Sequence, residues 1–301
     1  MLAGRRLIDQ SSLSSYQIRK IQKWRHLHKR DPDLIHPKTF TEKLLYRCLF
    51  SRDPYYHLYA SKINAPFFLQ GRRPDSLRIL RRYGAYQRIS PQDLWALPVD
   101  CFMIKSSWAS GLNCPVPDRR TANLDAICNR FNKKLHRIKN SHNIPNPYNS
   151  IIVEEFLGEP GRLLEDFKFH CIRDPDQNLL MLVQHYMQME DGTRRQSAYD
   201  IHFNHLDYSI SAKRSYSDPI GKPKHFDSAV QIAHQITAGF DYIRLDLYLM
   251  DDGIYFGEFT PYQSNGITEV TSPAQDERLG KHWNLRLNCF QPDEPAGRLL
   301  I

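Results

Sequence analysis

The chain has 301 residues, 41% apolar and 25% charged, which is enough to bury a sizeable core and hold two domains or subdomains. No apolar run reaches membrane-spanning length, and the six cysteines (48, 101, 114, 128, 171 and 289) are dispersed with no CxxC pair. These features exclude a transmembrane helix and argue against a zinc site or a disulfide frame. The net charge of +8 is uneven, because residues 1–90 hold 19 Lys+Arg against 6 Asp+Glu while the rest of the chain is acidic. A basic first third suits steering of a polyanionic substrate or an anionic membrane surface, and equally the solvated faces of helices. No module interleaves basic residues with stacking aromatics, so nucleic acid is not an expected partner. The opening Met-Leu-Ala-Gly-Arg-Arg lacks an apolar stretch before a cleavage site, and with the thiol pattern this predicts a cytoplasmic protein.

Residues 13–30 carry Leu13, Ile18, Ile21, Trp24 and Leu27 at helical spacing, and Asp31-Pro32-Asp33 ends that helix. Thr39 or Thr41 caps a helix over roughly 41–50, and a third helix is expected from about Tyr55 to Ile63. Short strands are expected at 77–80 and 83–89, a short helix after Ser90, and a buried strand at 101–105. Leu124, Ile127, Phe131 and Leu135 give an amphipathic helix over 122–137, followed by a polar loop at 140–149 and a strand at 150–157. Residues 167–172 and 179–186 pair as neighbouring strands, 226–238 is helical, and a short helix lies near 273–279. Helices mixed with mostly antiparallel strands read as α+β.

The most informative stretch is 241–260. Ile243, Leu245, Leu247 and Leu249 alternate with Arg244, Asp246, Tyr248 and Met250, and a return strand runs from Ile254 to Thr260. A three-residue loop, Asp251-Asp252-Gly253, pairs Asp246 with Glu258 and Arg244 with Thr260. Directly opposite residues share a face with Cβ atoms about 5 Å apart, so the two carboxylates repel unless a positive centre lies between them. Mg²⁺ binds through one or two carboxylates plus substrate phosphates. The pattern is therefore read as a nucleotide–Mg²⁺ site, against the alternative of a surface hairpin with scattered acids. A two-residue loop would turn Glu258 to the other face and remove the site.

Three further stretches carry chemistry. Lys105 ends an apolar strand and precedes Ser106-Ser107-Trp108-Ala109-Ser110-Gly111, a small-residue loop that offers N–H groups to phosphate or is an ordinary exposed hairpin. Ile151–Leu157 is an apolar strand with Glu154 and Glu155, suited to an adenine edge and ribose hydroxyls, or simply a strand end with solvated acids. Asp166 and Lys168 share a strand face, as a phosphate lysine beside an acid or as a surface ion pair.

Strand-end lysine, acidic strand end, second lysine and paired carboxylates occur in that order, which resembles the ATP-grasp superfamily. More narrowly, the chain is similar to the TupA-like ATP-grasp family, often found with bacterial surface-polysaccharide biosynthesis. The stretches that carry this are 36–43, 51–55, 102–111, 151–157, 166–169, Tyr199-Asp200 and 222–266, together spanning roughly residues 30–282. The resemblance implies an ATP-grasp fold in which two α+β subdomains with mainly antiparallel sheets clasp ATP. Residues 1–75 would be a basic helical region, 76–150 the subdomain with the phosphate loop, and 151–301 the subdomain with the hinge and metal hairpin. It implies that Lys105 and Lys168 contact phosphates, with Ser106, Ser107, Ser110 and Gly111 in the loop, and that Glu154, Glu155, Phe156 and Leu157 form the adenine and ribose hinge. Asp246 and Glu258 would bind Mg²⁺, with Thr260 a weaker ligand where the superfamily often has asparagine, and Arg244 with Lys105 would stabilise the transferring group.

The chain departs from the group's usual residues at Trp108-Ala109 and Gln263-Ser264. The implied activity is ATP- and Mg²⁺-dependent ligation of a carboxylate to an amine through an acyl-phosphate, with a uronic-acid-containing glycan or its precursor as substrate. The alternatives are a phosphotransferase at the same site, or a non-catalytic glycan- or membrane-surface-binding protein whose basic N-terminal region does the binding.

Overall fold

The structure, a computed structural model, describes residues 13–107, 112–138, 150–158, 165–188, 193–211, 215–216, 218–294 and 296–300. The loop expected at 140–149 lies outside them. The first third begins with α1 (Ser15–His28) and α2 (Phe40–Phe50), close to the expected helices. The expected helix at 55–63 is instead two short ones, α3 (Tyr56–Tyr59) and α4 (Ala65–Phe68). Pro66 lies in the first turn of α4, where its missing N–H costs nothing, so the chain breaks at 60–64 and restarts.

Next come β1 (Leu77–Ile79), β2 (Arg82–Tyr86), α5 (Pro91–Trp95), β3 (Phe102–Ser106), β4 (Asn113–Val116), α6 (Leu124–Ile138) and β5 (Ile151–Glu154). The long antiparallel run follows: β6 (Asp166–Arg173), β7 (Leu179–Gln188), β8 (Arg194–Tyr199), β9 (His205–Leu206) and β10 (Ser215–Tyr216). The chain ends with α7 (Phe226–Ile236), β11 (Tyr242–Met250), β12 (Gly253–Thr260), a 3₁₀ turn at Gln263–Gly266, and α8 (Pro273–His282). Strands β4, β8, β9 and β10 were not expected from the sequence, being short or polar.

Two sheets result. The smaller has the order β2-β5-β3-β4, all antiparallel. The larger has the order β1-β12-β11-β6-β7-β8-β10, with β9 beside β8, and is antiparallel apart from the β1–β12 and β8–β10 pairs. Sheet membership cuts across the division drawn from the sequence, since β1 joins the larger sheet and β5 the smaller.

The alternation in β11 decides the layering. Ile243, Leu245 and Leu247 face a core built with Phe169, Cys171 and Val183 and covered by Phe226, Ala229, Val230 and Ala233 of α7. On the other face, Tyr242 packs with Ile172 and Leu182 under Phe40 and Leu44 of α2 and Leu279 and Trp283 at α8. Beyond Tyr242 that same face presents Arg244, Asp246 and Tyr248. The smaller sheet is covered by α6 through Leu124, Phe131 and Leu135 on Phe102, Ile104 and Val153.

The stretch at 36–43 acts structurally. Thr39 accepts from Glu42 N–H, while Glu42 accepts from the N–H groups of Asp33, Lys38 and Thr39. Thr41 binds Asp276 through its N–H (2.9 Å) and its hydroxyl (2.7 Å), and Lys43 donates to the Gly280 carbonyl at 2.7 Å. A Cβ on Gly280 would fall 2.1 Å from the Lys38 carbonyl oxygen, so only glycine lets α8 approach this closely.

Asp241 anchors the start of β11. Its carboxylate pairs with Arg47 and accepts from Tyr242 N–H (2.7 Å), Trp283 Nε1 (3.1 Å) and Arg286 N–H (2.8 Å), with both charged groups essentially unexposed. Asp241→Ala leaves the Arg47 guanidinium buried without its carboxylate, and we expect a loss of about 3–5 kcal/mol in urea unfolding. A loss under about 1 kcal/mol would mean that this pair does not fix β11.

Candidate active site

Asp246 and Glu258 stand opposite each other on β11 and β12, and Arg244 stands opposite Thr260, as the sequence predicts. The route to this register differs from expectation. The hairpin closes on a two-residue loop, Asp251-Asp252, so that Met250 pairs with Gly253, Tyr248 with Tyr255 and Leu247 with Phe256. Continued unbroken, that pairing would point Glu258 away from Asp246. A β-bulge interrupts it between Asp246 and Leu247, where Gly257 is the extra residue of β12, and the two carboxylates return to one face. A Cβ on Gly257 would lie 2.9 Å from the Asp246 carbonyl oxygen, so the bulge has little room for a side chain.

The carboxylates converge on one cation. Arg244 Nε lies 2.7 Å from Asp246 Oδ1, and its Nη2 lies 2.7 Å from Asp246 Oδ2 and 3.1 Å from Glu258 Oε1. Lys168, opposite Asp246 on β6, donates to Asp246 Oδ2 at 2.8 Å and also pairs with Asp166. Thr260 Oγ1 lies 3.3 Å from Glu258 Oε1. From the smaller sheet, Lys105 pairs with Glu154 and sits 6.0 Å from the centre of the Tyr248 ring on β11, so the two sheets meet here.

The structure adds residues that the sequence pattern does not single out. Lys62, between α3 and α4, places Nζ 2.8 Å from Glu258 Oε2. Four carboxylates (Glu154, Asp166, Asp246 and Glu258) are thus matched by four cations (Lys62, Lys105, Lys168 and Arg244). No spacing rule links position 62 to position 258, so only the fold reveals the contact. His170 and Gln184 were also missed, although the alternation of β6 places His170 on the face of Lys168. Tyr242 Oη and Gln184 Oε1 lie 3.1 and 2.7 Å from the His170 ring nitrogens, and burial pushes that imidazole down to about 3, so it is neutral.

The remaining expected residues fall as follows. Ser106 N–H donates to the Leu112 carbonyl (3.1 Å) and Ser107 N–H to the Ser150 carbonyl (2.8 Å), so both amides serve strand pairing. Ser110 and Gly111 lie outside the described residues. Glu155 faces β2, donating its N–H to the Arg81 carbonyl (2.8 Å) and accepting from Arg81 N–H (3.2 Å). Phe156 and Leu157 follow β5 outside any regular element, and among the described residues no hydrogen bond engages their backbone.

The electrostatics divide the two central carboxylates. Burial pushes the Asp246 carboxyl up, against the pull of Arg244 and Lys168. Burial acts on Glu258 too, but Lys62 and Arg244 outweigh it and hold that carboxyl well below the usual range. Two carboxylates converging on a shared positive centre, with a hydroxyl beside one of them, form an oxygen donor set that suits Mg²⁺ when substrate oxygens complete it. A separate concavity of about 1090 Å³ lies between α1, the 29–39 loop and α8. Its buried acids Glu42 and Asp276 are already engaged by backbone and hydroxyl donors.

A depressed folded-state value means that ionised Glu258 stabilises the fold above the unfolded carboxyl value. That contribution fades as pH falls through the folded one. The stability difference between the native chain and Glu258→Gln should therefore be flat above about pH 5 and shrink toward about pH 2, as read by urea unfolding across pH. A difference independent of pH would show that Lys62 and Arg244 do not hold Glu258 ionised.

The model of the TupA-like ATPgrasp family matches residues 102–284. No curated protein matches significantly. Among solved structures, the chain is similar to the ATP-grasp ligase PsnB complexed with minimal precursor, at 13% identity and a TM-score of 0.37, covering 69% of this chain and 53% of that one. It is similar to D-alanine–D-alanine ligase from Bacillus anthracis, at 12% identity and a TM-score of 0.39, covering 75% and 64%. It is also similar to a RimK domain ATP-grasp protein from Sphaerobacter thermophilus, at 11% identity and a TM-score of 0.42, covering 94% and 98%. The chain thus spans less than two thirds of the length of the first two. The family match runs from the strand carrying Lys105 through both central carboxylates to the end of α8, and the chain belongs to the TupA-like ATP-grasp family.

Proposed function

We propose that this protein is an ATP- and Mg²⁺-dependent ligase that joins a carboxylate to an amine through an acyl-phosphate. The observation that carries this reading is the convergence of Asp246 and Glu258 on Arg244, with lysines approaching from both sheets. Each anion there is already paired with a cation of the chain, so a nucleotide enters by exchange of partners. Lys105 and Lys168 would hold phosphate oxygens, and Asp246 and Glu258, with Thr260 beside them, would hold Mg²⁺. Mg²⁺, when bound, offsets the charge that develops on the phosphoryl oxygens.

Arg244 adds a fixed positive fork at the same point, held by Asp246 on one side of the sheet face. The substrate carboxylate attacks the γ-phosphorus and ADP leaves. The amine nitrogen then attacks the acyl carbon, phosphate departs, and the proton lost from nitrogen passes to solvent. Glu154 ends β5, an inner strand of the smaller sheet, and Phe156 and Leu157 follow it, where backbone groups with no hydrogen bond among the described residues suit an adenine edge. For the substrate we propose a uronic-acid-containing surface polysaccharide or its precursor, because the basic first third of the chain favours a polyanion. Among the described residues no helix is long and apolar enough to cross a membrane.

Thermal or urea unfolding with and without Mg²⁺-ATP tests the site. A ligand that binds only the folded state adds about 2.7 kcal/mol at one hundred times its dissociation constant. We expect a Mg²⁺-dependent rise in the native chain and none in Asp246→Asn. Absence of a rise in the native chain would overturn the nucleotide site. Turnover giving ADP, phosphate and an amide supports the ligase, whereas a phosphorylated acceptor would make the enzyme a phosphotransferase.

A further inference from the structure

Lys62 lies outside the segment that matches the family model, in the basic N-terminal region. Its ammonium nevertheless reaches Glu258 at 2.8 Å, with the side chain only 15% exposed. The backbone around it is tied down independently of that ion pair. Lys62 N–H donates to the Ser107 carbonyl at 3.1 Å, at the end of the strand that carries Lys105. The Arg82 guanidinium of β2 donates to the Lys62 carbonyl at 2.6 Å and to the Ile63 carbonyl at 3.2 Å. The helix break at 60–64 therefore sets one lysine between the phosphate-loop strand and the metal-site glutamate. Arg244 meets Glu258 through Oε1 and Lys62 meets it through Oε2, so the two cations flank the glutamate from different sides.

A lysine against Glu258 stabilises the carboxylate only while the carboxylate has no stronger cation. With a divalent cation on Glu258, the ammonium is repelled from the metal, and the nearest added negative charge attracts it. Metal ions in phosphoryl-transfer sites offset the charge on the transferring γ-phosphoryl group, so a cation beside the metal-site glutamate would lie within reach of its oxygens. A flexible four-carbon stem lets the ammonium make that change with the backbone fixed.

We propose that Lys62 is a third phosphate-binding lysine, which leaves Glu258 for the γ-phosphoryl group of ATP. The N-terminal region thereby completes the nucleotide site and distinguishes ATP from ADP. This rests on the ATP-site reading above. In that site Lys62 is a specificity device supplied from outside the ATP-grasp core, and it couples the segment 61–64 to the presence of a γ-phosphate.

Calorimetric titration of the full chain with Mg²⁺-ATP and Mg²⁺-ADP, for the native protein, Lys62→Met and Lys62→Arg, tests the role. A lost charge-assisted contact should weaken Mg²⁺-ATP binding by about tenfold or more in Lys62→Met, with ADP changed by less than about threefold. Lys62→Arg should keep most of the preference for ATP and shows that the position tolerates substitution. An equal loss for both nucleotides would overturn the proposal and leave Lys62 as a positioning residue for Glu258. Unchanged ATP binding in Lys62→Met would overturn it as well. Failure of the native chain to bind Mg²⁺-ATP is a distinct result and removes the site reading itself.

Discussion

Two carboxylates fixed side by side on neighbouring strands repel each other, and the site is organised around that repulsion. Asp246 and Glu258 are held together by Arg244, which touches both, by Lys168 on the flank of Asp246, and by Lys62 on the flank of Glu258. Exposed ion pairs of this kind contribute little to stability. These are mostly shielded and share partners, so removing one member leaves another uncompensated. Such a network is stable with the chain's own cations in place and equally ready to accept outside ions of either sign in matched amounts. A magnesium nucleotide brings both signs at once, so under the proposed function exchange of partners would bind it with no charge left unmatched.

The fold serves to hold that cluster rigid. The buried Asp241 carboxylate, with four donors, fixes the start of β11 five residues before Asp246. The bulge at Gly257 sets the phase of β12 against it. The clamp formed by Thr39, Thr41, Glu42 and Lys43 presses α2 against α8, and both cover Tyr242 on the face that presents Arg244 and Asp246. The N-terminal third is thus more than a basic surface. Its helices form part of the roof over one end of the site face, and its 61–64 loop enters the site.

Much of this was legible from residue order. Period-2 alternation placed Arg244, Asp246 and Tyr248 on one face, and the facing pairs Asp246–Glu258 and Arg244–Thr260 are those observed. The turn was read wrongly, because glycine at 253 suits a three-residue loop as well as the strand start that it is. The register survived only because Gly257, which carries no signal as a lone glycine, makes the bulge. The break at 60–64 contains no glycine or proline to mark it, and Pro66 marks a new start rather than an end. Lys62 was invisible for a more basic reason. Its partner is almost two hundred residues away in sequence, and a single exposed-type residue has no periodicity to betray it. Strands β8 to β10 were missed because their polar or very short segments gain their β structure from pairing at the sheet edge, which local propensity does not encode.

The most direct test of partner exchange is a crystal structure of the chain with Mg²⁺ and a non-hydrolysable ATP analogue. The expected result is one metal held by Asp246 and Glu258, with Lys168 and Lys105 on phosphate oxygens and their ion pairs to Asp246 and Glu154 released. A nucleotide bound elsewhere, with Asp246 still paired to Lys168 and Glu154 to Lys105 as they are now, would contradict it.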